Sequence, residues 1–427
     1  MALRVPTSTY RIQFSPDFHF ADAEQLVPYL SRLGIGDLYA SPMLAARAGS
    51  QHGYDVADGS RVSGDLGGEA GFRSLSAALR SHDMGLLLDI VPNHMAASTD
   101  NPWWTDLLEN GRQSKYAHYF DIDWHPTTSK GTLDNKLLLP VLGQVYGAAL
   151  EAAEIQMQIS ETGLVIRYYE LRLPVSSRSY WRILDGLAAL MLEQDNPQID
   201  QTRARLVTRL NETLSESSAN ERLGEIFSLL WRLYTSSARF KDFLDERLDG
   251  INGEKGRANS FDLLDSILDE QAYRLAYWRR AADEINYRRF FDITDLVGVR
   301  VEEDEVFDER HQIILRFIKE GKVTGLRIDH IDGLYDPVAY LSKLQQVCAE
   351  AAGNGSWSGD PARLQFYVVV EKILVGEEQL PETFATSGTT GYDFLNVLNN
   401  LFLDRDGLGQ LDASYERFTG VTQTFEE

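Results

Sequence analysis

Two periodicities share this chain. Short runs rich in Leu, Ile, Val and aromatic residues, at Thr9 to Phe14, Gly36 to Ala40, Gly85 to Val91, Gly325 to Asp329 and Phe366 to Glu371, read as buried strands. Between them apolar positions recur at helical spacing. Leu26, Leu30 and Leu33 share one face of Ala23 to Leu33, and Phe72, Leu75 and Leu79 share one face of the next helix. Gly34 and Gly85 follow these helices, as terminating glycines do, close to where the next strand starts. Tyr392 to Val397 is the candidate for a sixth strand. This βα alternation predicts an α/β fold of the (β/α)8 TIM-barrel type. Eight strands close such a barrel and only five or six are placed, so the barrel is expected to be incomplete in this chain, with unpaired sheet edges that favour aggregation.

The stretch between the third and fourth strands is far too long for a loop, so a large insertion is expected there. Its first part, Lys136 to Val175, is rich in β-type runs; its second, Tyr180 to Ile285, reads as helical. Ile226, Leu229, Leu230 and Leu233 form one apolar stripe, and Leu264, Ile267, Leu268 and Gln271 another, both read as core packing. The expected division is a first barrel segment at 1–120, a small β-rich insertion at 121–180, a helical insertion at 181–290 and a second, truncated barrel segment at 291–427. Gly353 to Pro361 is a loop rich in glycine and serine.

Charge narrows the partners. With 41 Lys and Arg against 64 Asp and Glu, the chain carries a formal charge of −23 and would repel nucleic acid and anionic lipid. A neutral or small partner is favoured. The single cysteine, Cys348, can form no internal disulfide and has no metal-binding companions. Neither a signal peptide nor a long apolar run is present, so a cytoplasmic protein that does not meet the membrane is expected.

Several strand ends carry polar groups suited to sugar chemistry. Retaining glycosyl transfer needs one carboxylate to attack the anomeric carbon and a second carboxyl to exchange a proton with the leaving and incoming oxygens. Arg327 and Asp329 stand two apart at a strand end, on one face, so the cation can keep the carboxylate ionised and oriented. A purely structural ion pair would leave the same trace. Glu371 closes a run of buried type, where partial desolvation would raise its pKa and suit a general acid; an ordinary loop glutamate is the alternative. Asp89, Asn93 and His94 end the third strand with groups able to bind hydroxyls, and His52, Tyr54 and Asp55 add an aromatic face beside a carboxylate.

In chain order, these segments resemble the conserved regions of the α-amylase superfamily. The resemblance implies Asp329 as nucleophile, Glu371 as acid/base, Arg327 as orienting partner, and His94, Tyr54 and Asp55 at the sugar subsite before the cleaved bond, with His52 beside them. Asp89 then supports the arginine. A closer resemblance, from Thr7 to Gln13, Gln271 to Arg280, Glu284 to Asp292 and Gly388 to Phe394, is to the maltooligosyltrehalose synthase family, which converts the reducing-end α-1,4 bond of maltooligosaccharides to an α,α-1,1 bond. It implies no cofactor and no required metal, although some superfamily members hold structural calcium near the residue matching Asn93. It also implies a third catalytic carboxylate, expected beyond residue 427. His330, Asp332 and the segment Asn286 to Phe291 are candidate walls of the acceptor side, with the insertion as a lid. A retaining α-glucan hydrolase or disproportionating enzyme shares every barrel motif, and a non-catalytic glucan-binding protein or an inactive fragment shares the fold.

Overall fold

The computed structural model describes residues 3–127, 133–187, 196–215 and 220–423. Five parallel strands lie side by side in chain order: β1 (Thr9–Ile12), β2 (Asp37–Ala40), β3 (Gly85–Ile90), β4 (Gly325–Ile328) and β5 (Tyr367–Val370). Helices α1 (Phe20–Leu33), α2 (Gly68–Ser81), α3 (Asp304–Lys319) and α4 (Pro337–Ala351) run between them, and the whole is a TIM-barrel-type α/β fold. Every residue of β3 and β4 is buried, as expected of strands covered on both faces.

Helix α1 starts three residues before the apolar spacing suggests, because the His19 and Asp22 side chains cap its first turn reciprocally. That start selects a different stripe. Phe20, Ala23, Val27 and Leu30 face the core, whereas Leu26 and Leu33 are 36% and 55% exposed. Phe72, Leu75 and Leu79 of α2 are buried as the spacing predicts. Gly34 ends α1 in the left-handed region, at φ 89°. Gly85 ends no helix: it is the first residue of β3, where a Cβ would come within 1.8 Å of Asp37 Oδ1. The expected sixth strand is a helix, Tyr392–Asn400. Gly391, at φ 89°, precedes it, and Phe394, Leu395, Val397 and Leu398 follow helical rather than alternating spacing.

The insertion has a core of its own. Strands Leu137–Leu142, Ile155–Ser160, Gly163–Tyr168 and Leu171–Pro174 pack with helices Pro197–Ser215, Asn220–Ser236, Ala238–Asn252 and Asp262–Asp269. Both stripes read from the sequence are buried there. One segment inside the stretch expected to be helical, Tyr273–Tyr277, is a strand; it pairs in parallel with Leu137–Leu142 and so ties the two parts of the insertion together. The chain leaves and re-enters the barrel through one antiparallel pair, His94–Ala96 against Ile293–Gly298. That pair lays an insertion strand beside His94, at the C-terminal end of the sheet. Among the described residues no helix is long and apolar enough to cross a membrane.

Candidate active site

The strand register places the polar groups. Arg327 of β4 sits directly opposite Asp89 of β3, and Arg11 of β1 opposite Tyr39 of β2. The ladder continues one step past the strand ends, where Asp329 N donates to Ile90 O at 2.9 Å and Glu371 N to Ile328 O at 2.8 Å. Both carboxyls are thereby fixed where the βα loops gather.

One guanidinium joins them. Arg327 Nη1 donates at 2.7 Å to Asp89 Oδ1 and at 2.7 Å to Asp329 Oδ1, while Nη2 lies 2.9 Å from Glu371 Oε1. Arg327 is buried, which by itself disfavours its charge, but Asp89, Asp329 and Glu371 more than restore it and raise its pKa. Asp89 accepts a second bond at 2.6 Å from Tyr54 Oη, which in turn accepts from Arg11 at 3.0 Å. Burial, ahead of the opposing pull of Arg327, raises the pKa of Asp89.

Asp329 and Glu371 are held by the same guanidinium, through Nη1 at 2.7 Å and Nη2 at 2.9 Å. Burial chiefly pushes Asp329 up, to about 7, with Arg327 opposing and the charges of Glu371 and Asp89 adding. Glu371 departs from the sequence expectation. Half-burial would raise its pKa, but Arg327 and the backbone N–H of His330, donating to Oε2 at 2.9 Å, bring it below the usual carboxylate range. His330 presents that N–H because its backbone adopts φ 48°, a left-handed turn directly after Asp329.

Above these groups opens a cavity of about 460 Å³ lined by Arg47, His52, Tyr54, Asp55, His94, Phe290, Ile293, Asp295, Leu296, Asp329 and Glu371. His52, Tyr54, Asp55, His94, Asp329 and Glu371, all singled out in the sequence, therefore share its wall; Asp89 and Arg327 lie beneath it, and His330 packs beside Phe290. His94 is buried, and neither ring nitrogen has a hydrogen-bond partner of good geometry. Burial first, then Arg310, His330 and Arg288, lower its pKa to about 3, so it meets a ligand as a neutral imidazole. Asp55 accepts from Ser50 Oγ and lies 3.8 Å from Arg47 Nε.

Other candidates have structural work. Asn286 is buried in the insertion, donating to Asp123 O and Lys136 O and accepting from Leu138 N. Asp332 is exposed and paired with Lys372 at 3.1 Å. Asn93 accepts from Arg288 Nη1 at 2.7 Å, and the same guanidinium reaches Val299 O and Asp121, so a side-chain cation occupies the Asn93 oxygen. Phe290 alone of the segment Asn286 to Phe291 lines the cavity. Arg47, Ile293, Asp295 and Leu296 were not singled out. Asp295 becomes a site residue only through pairing between distant segments, whereas Arg47, shortly before His52, could have been found by asking which cation neutralises Asp55.

The alpha amylase catalytic domain model matches residues 23–149. With the strand order and the motifs at the strand ends, this likens the barrel part of the chain to the α-amylase catalytic domain. A Mycobacterium tuberculosis protein provisionally named maltooligosyl trehalose synthase is 34% identical over 416 residues, covering 96% of this chain and 40% of that one. The structure of maltooligosyltrehalose synthase from Arthrobacter ramosus superposes with a TM-score of 0.67 at 34% identity, over 99% of this chain and 42% of that one. Intracellular maltogenic amylase of Bacillus subtilis is 34% identical over 115 residues, covering 26% of this chain and 19% of that one. Along its own length the chain is similar to maltooligosyltrehalose synthases, and it spans about 40% of the length of the curated relative it matches.

Proposed function

We propose that this protein rearranges the reducing-end α-1,4 bond of maltooligosaccharides into an α,α-1,1 bond by a retaining double displacement. The observation that carries the reading is the single guanidinium of Arg327, holding Asp329 and Glu371 together at the floor of a cavity whose walls offer neutral histidine, tyrosine and carboxylate to sugar hydroxyls.

Asp329 attacks C1 of the penultimate glucose while Glu371 gives its proton to the departing glycosidic oxygen, leaving a glycosyl ester and a reducing glucose. Glu371, now a base, takes the proton of that glucose's anomeric hydroxyl; its oxygen bonds to the same C1 as the bond to Asp329 breaks. Two inversions retain the anomeric configuration. The first step needs the proton on Glu371 and an ionised Asp329. Sugar binding that draws Glu371 off Arg327 removes the influence holding its pKa down.

Arg327 keeps the nucleophile oriented, Asp89 and Tyr54 keep Arg327 in place, and the insertion, which leaves the barrel at His94–Ala96 and returns at Ile293–Gly298, serves as the lid. His330 and Phe290 stand on the acceptor side. The substrate is neutral, which suits an acidic protein, and the buried thiol of Cys348 suits a reducing, cytoplasmic setting.

The test is the reducing-end content and sugar products of maltopentaose treated with the full-length protein and with Asp329→Asn and Glu371→Gln variants. Loss of reducing power without accumulating glucose, abolished in both variants, is expected. Rising reducing power would make the protein a hydrolase and sink this reading.

A further inference from the structure

The cavity has two sides of different origin. Tyr54, Asp55 and His52 belong to the barrel's second βα connection, whereas Ile293, Asp295 and Leu296 belong to the strand with which the insertion returns to the barrel. Across the mouth these sides meet in one ion pair: Arg47 Nη1 donates to Asp295 Oδ2 at 2.8 Å. The barrel half of the pair is held firmly. Arg47 N donates to Asp55 O, Arg47 Nε faces the Asp55 carboxylate at 3.8 Å, and the neighbouring Ala48 N donates to Asp100. The insertion half is held by backbone, Asp295 O accepting from Ala97 N at 2.8 Å.

Arg47 therefore stands between a buried carboxylate of the sugar pocket and an exposed one on the insertion. Its side chain is 42% exposed and that of Asp295 is 66% exposed, so the contact can break and re-form without stranding a buried charge.

We propose that the Arg47–Asp295 pair is a specificity determinant that sets the ratio of glycosyl transfer to hydrolysis, by holding the insertion strand Ile293–Gly298 closed over the cavity while the glycosyl ester waits. This rests on the retaining mechanism proposed above. Both fates of the ester break the C1 bond to Asp329 and deliver one proton to Glu371. In transfer the new C1–O bond comes from a glucose hydroxyl, in hydrolysis from water. The competition is decided by which of the two is retained beside C1, and a closed mouth keeps glucose in and bulk water out. The apolar side chains of Ile293 and Leu296, carried on the same strand, present no polar group to hold water at that wall.

A graded series at Asp295 tests it and leaves Arg47 on Asp55. Wild type, Asp295→Glu, Asp295→Asn and Asp295→Lys are incubated as full-length proteins with maltopentaose alone, so that the acceptor is the glucose freed at the site. New glycosidic bonds in the products are divided by free glucose released, and thermal unfolding is recorded alongside. The transfer ratio should stay near wild type in the glutamate variant, fall by about two- to fivefold in the asparagine variant, the factor an exposed ion pair can move an open–closed balance, and fall further in the lysine variant. Melting temperatures should not follow that order. A ratio that is constant across the series, or that only tracks stability, overturns the proposal, as does a wild type that only hydrolyses. A wild type that rejoins the freed glucose through a linkage other than α,α-1,1 sinks the proposed product but leaves the ratio, and the role of the pair, readable.

Discussion

Arg327 and Glu371 are joined at 2.9 Å by the same guanidinium that bonds Asp329 and Asp89 at 2.7 Å, so three carboxyls from three strands share one cation. Lysine carries the charge but not the planar fork. Arg327→Lys should lower turnover on the order of 100-fold, the scale of a misplacement of about 1 Å at a reacting centre, with the fold retained. Steady-state rates beside circular dichroism check it; near-normal turnover would mean the shared fork is dispensable.

Tyr54 and Asp89 form the layer beneath. Removing the hydroxyl in Tyr54→Phe leaves Asp89 Oδ2 with only the longer contact, 3.5 Å, to Tyr39. A buried acceptor so weakened should cost about 1–3 kcal/mol, read as a lower urea midpoint at unchanged slope. An unchanged midpoint would show that Tyr39 compensates.

Glu109, on the insertion helix Pro102–Asn110, is buried with Oε1 unpartnered, and burial first, then Asp106, raise its pKa to about 8. A carboxyl raised in the folded state contributes stability that is complete below its unfolded pKa, near 4.5, and is lost as pH climbs through 8. Glu109→Gln escapes that loss. Its melting temperature should match wild type near pH 4 and exceed it at pH 8, by a free energy on the order of a few kcal/mol. A pH-independent difference would contradict the burial argument.

Gly85→Ala should be severe despite its small size. The added methyl would meet Asp37 Oδ1 at 1.8 Å, Thr324 Oγ1 at 2.5 Å and Arg4 Nε at 2.7 Å, three polar atoms that bind one another beneath the sheet. Relief must break that network or displace β3, so a loss of about 1–3 kcal/mol or more is expected from denaturant unfolding. Ser81→Ala, where the hydroxyl makes only exposed contacts, to Ala78 O and the His82 ring, supplies the comparison.

What the sequence disclosed depended on how local the information was. Arg327 and Asp329 are two apart on one strand, and Glu371 closes a buried run, so their convergence needs only strand alternation and a parallel sheet. The bond from Arg327 to Asp89 needs the register of β4 against β3, which no local pattern carries. Arg47 with Asp295 is further removed, since it needs the insertion's antiparallel return. Leu26 and Leu33 misled because the spacing was counted from Ala23, although His19 and Asp22 already marked an earlier helix start. Tyr392 to Val397 misled because a short apolar run fits either period; Gly391 was the sign that separated them. The lowered pKa of Glu371 was hidden because it depends on a backbone N–H exposed by the turn at His330.

The return pair, His94–Ala96 against Ile293–Gly298, also bears on how the chain assembles. Strands β3 and β4 are neighbours in space but stand at opposite ends of the insertion in sequence, and direct pairing would have to close the whole intervening chain. Loop-closure entropy grows only with the logarithm of length, yet contacts of such separation form slowly. Once the insertion has collapsed on its own core and its two ends are pinned at Met95 and Val297, the chain left to close shrinks from the whole insertion to the stretch between Val297 and β4, much of it taken up by α3. The insertion then acts as a splint for the seam that carries Asp89, Arg327 and Asp329.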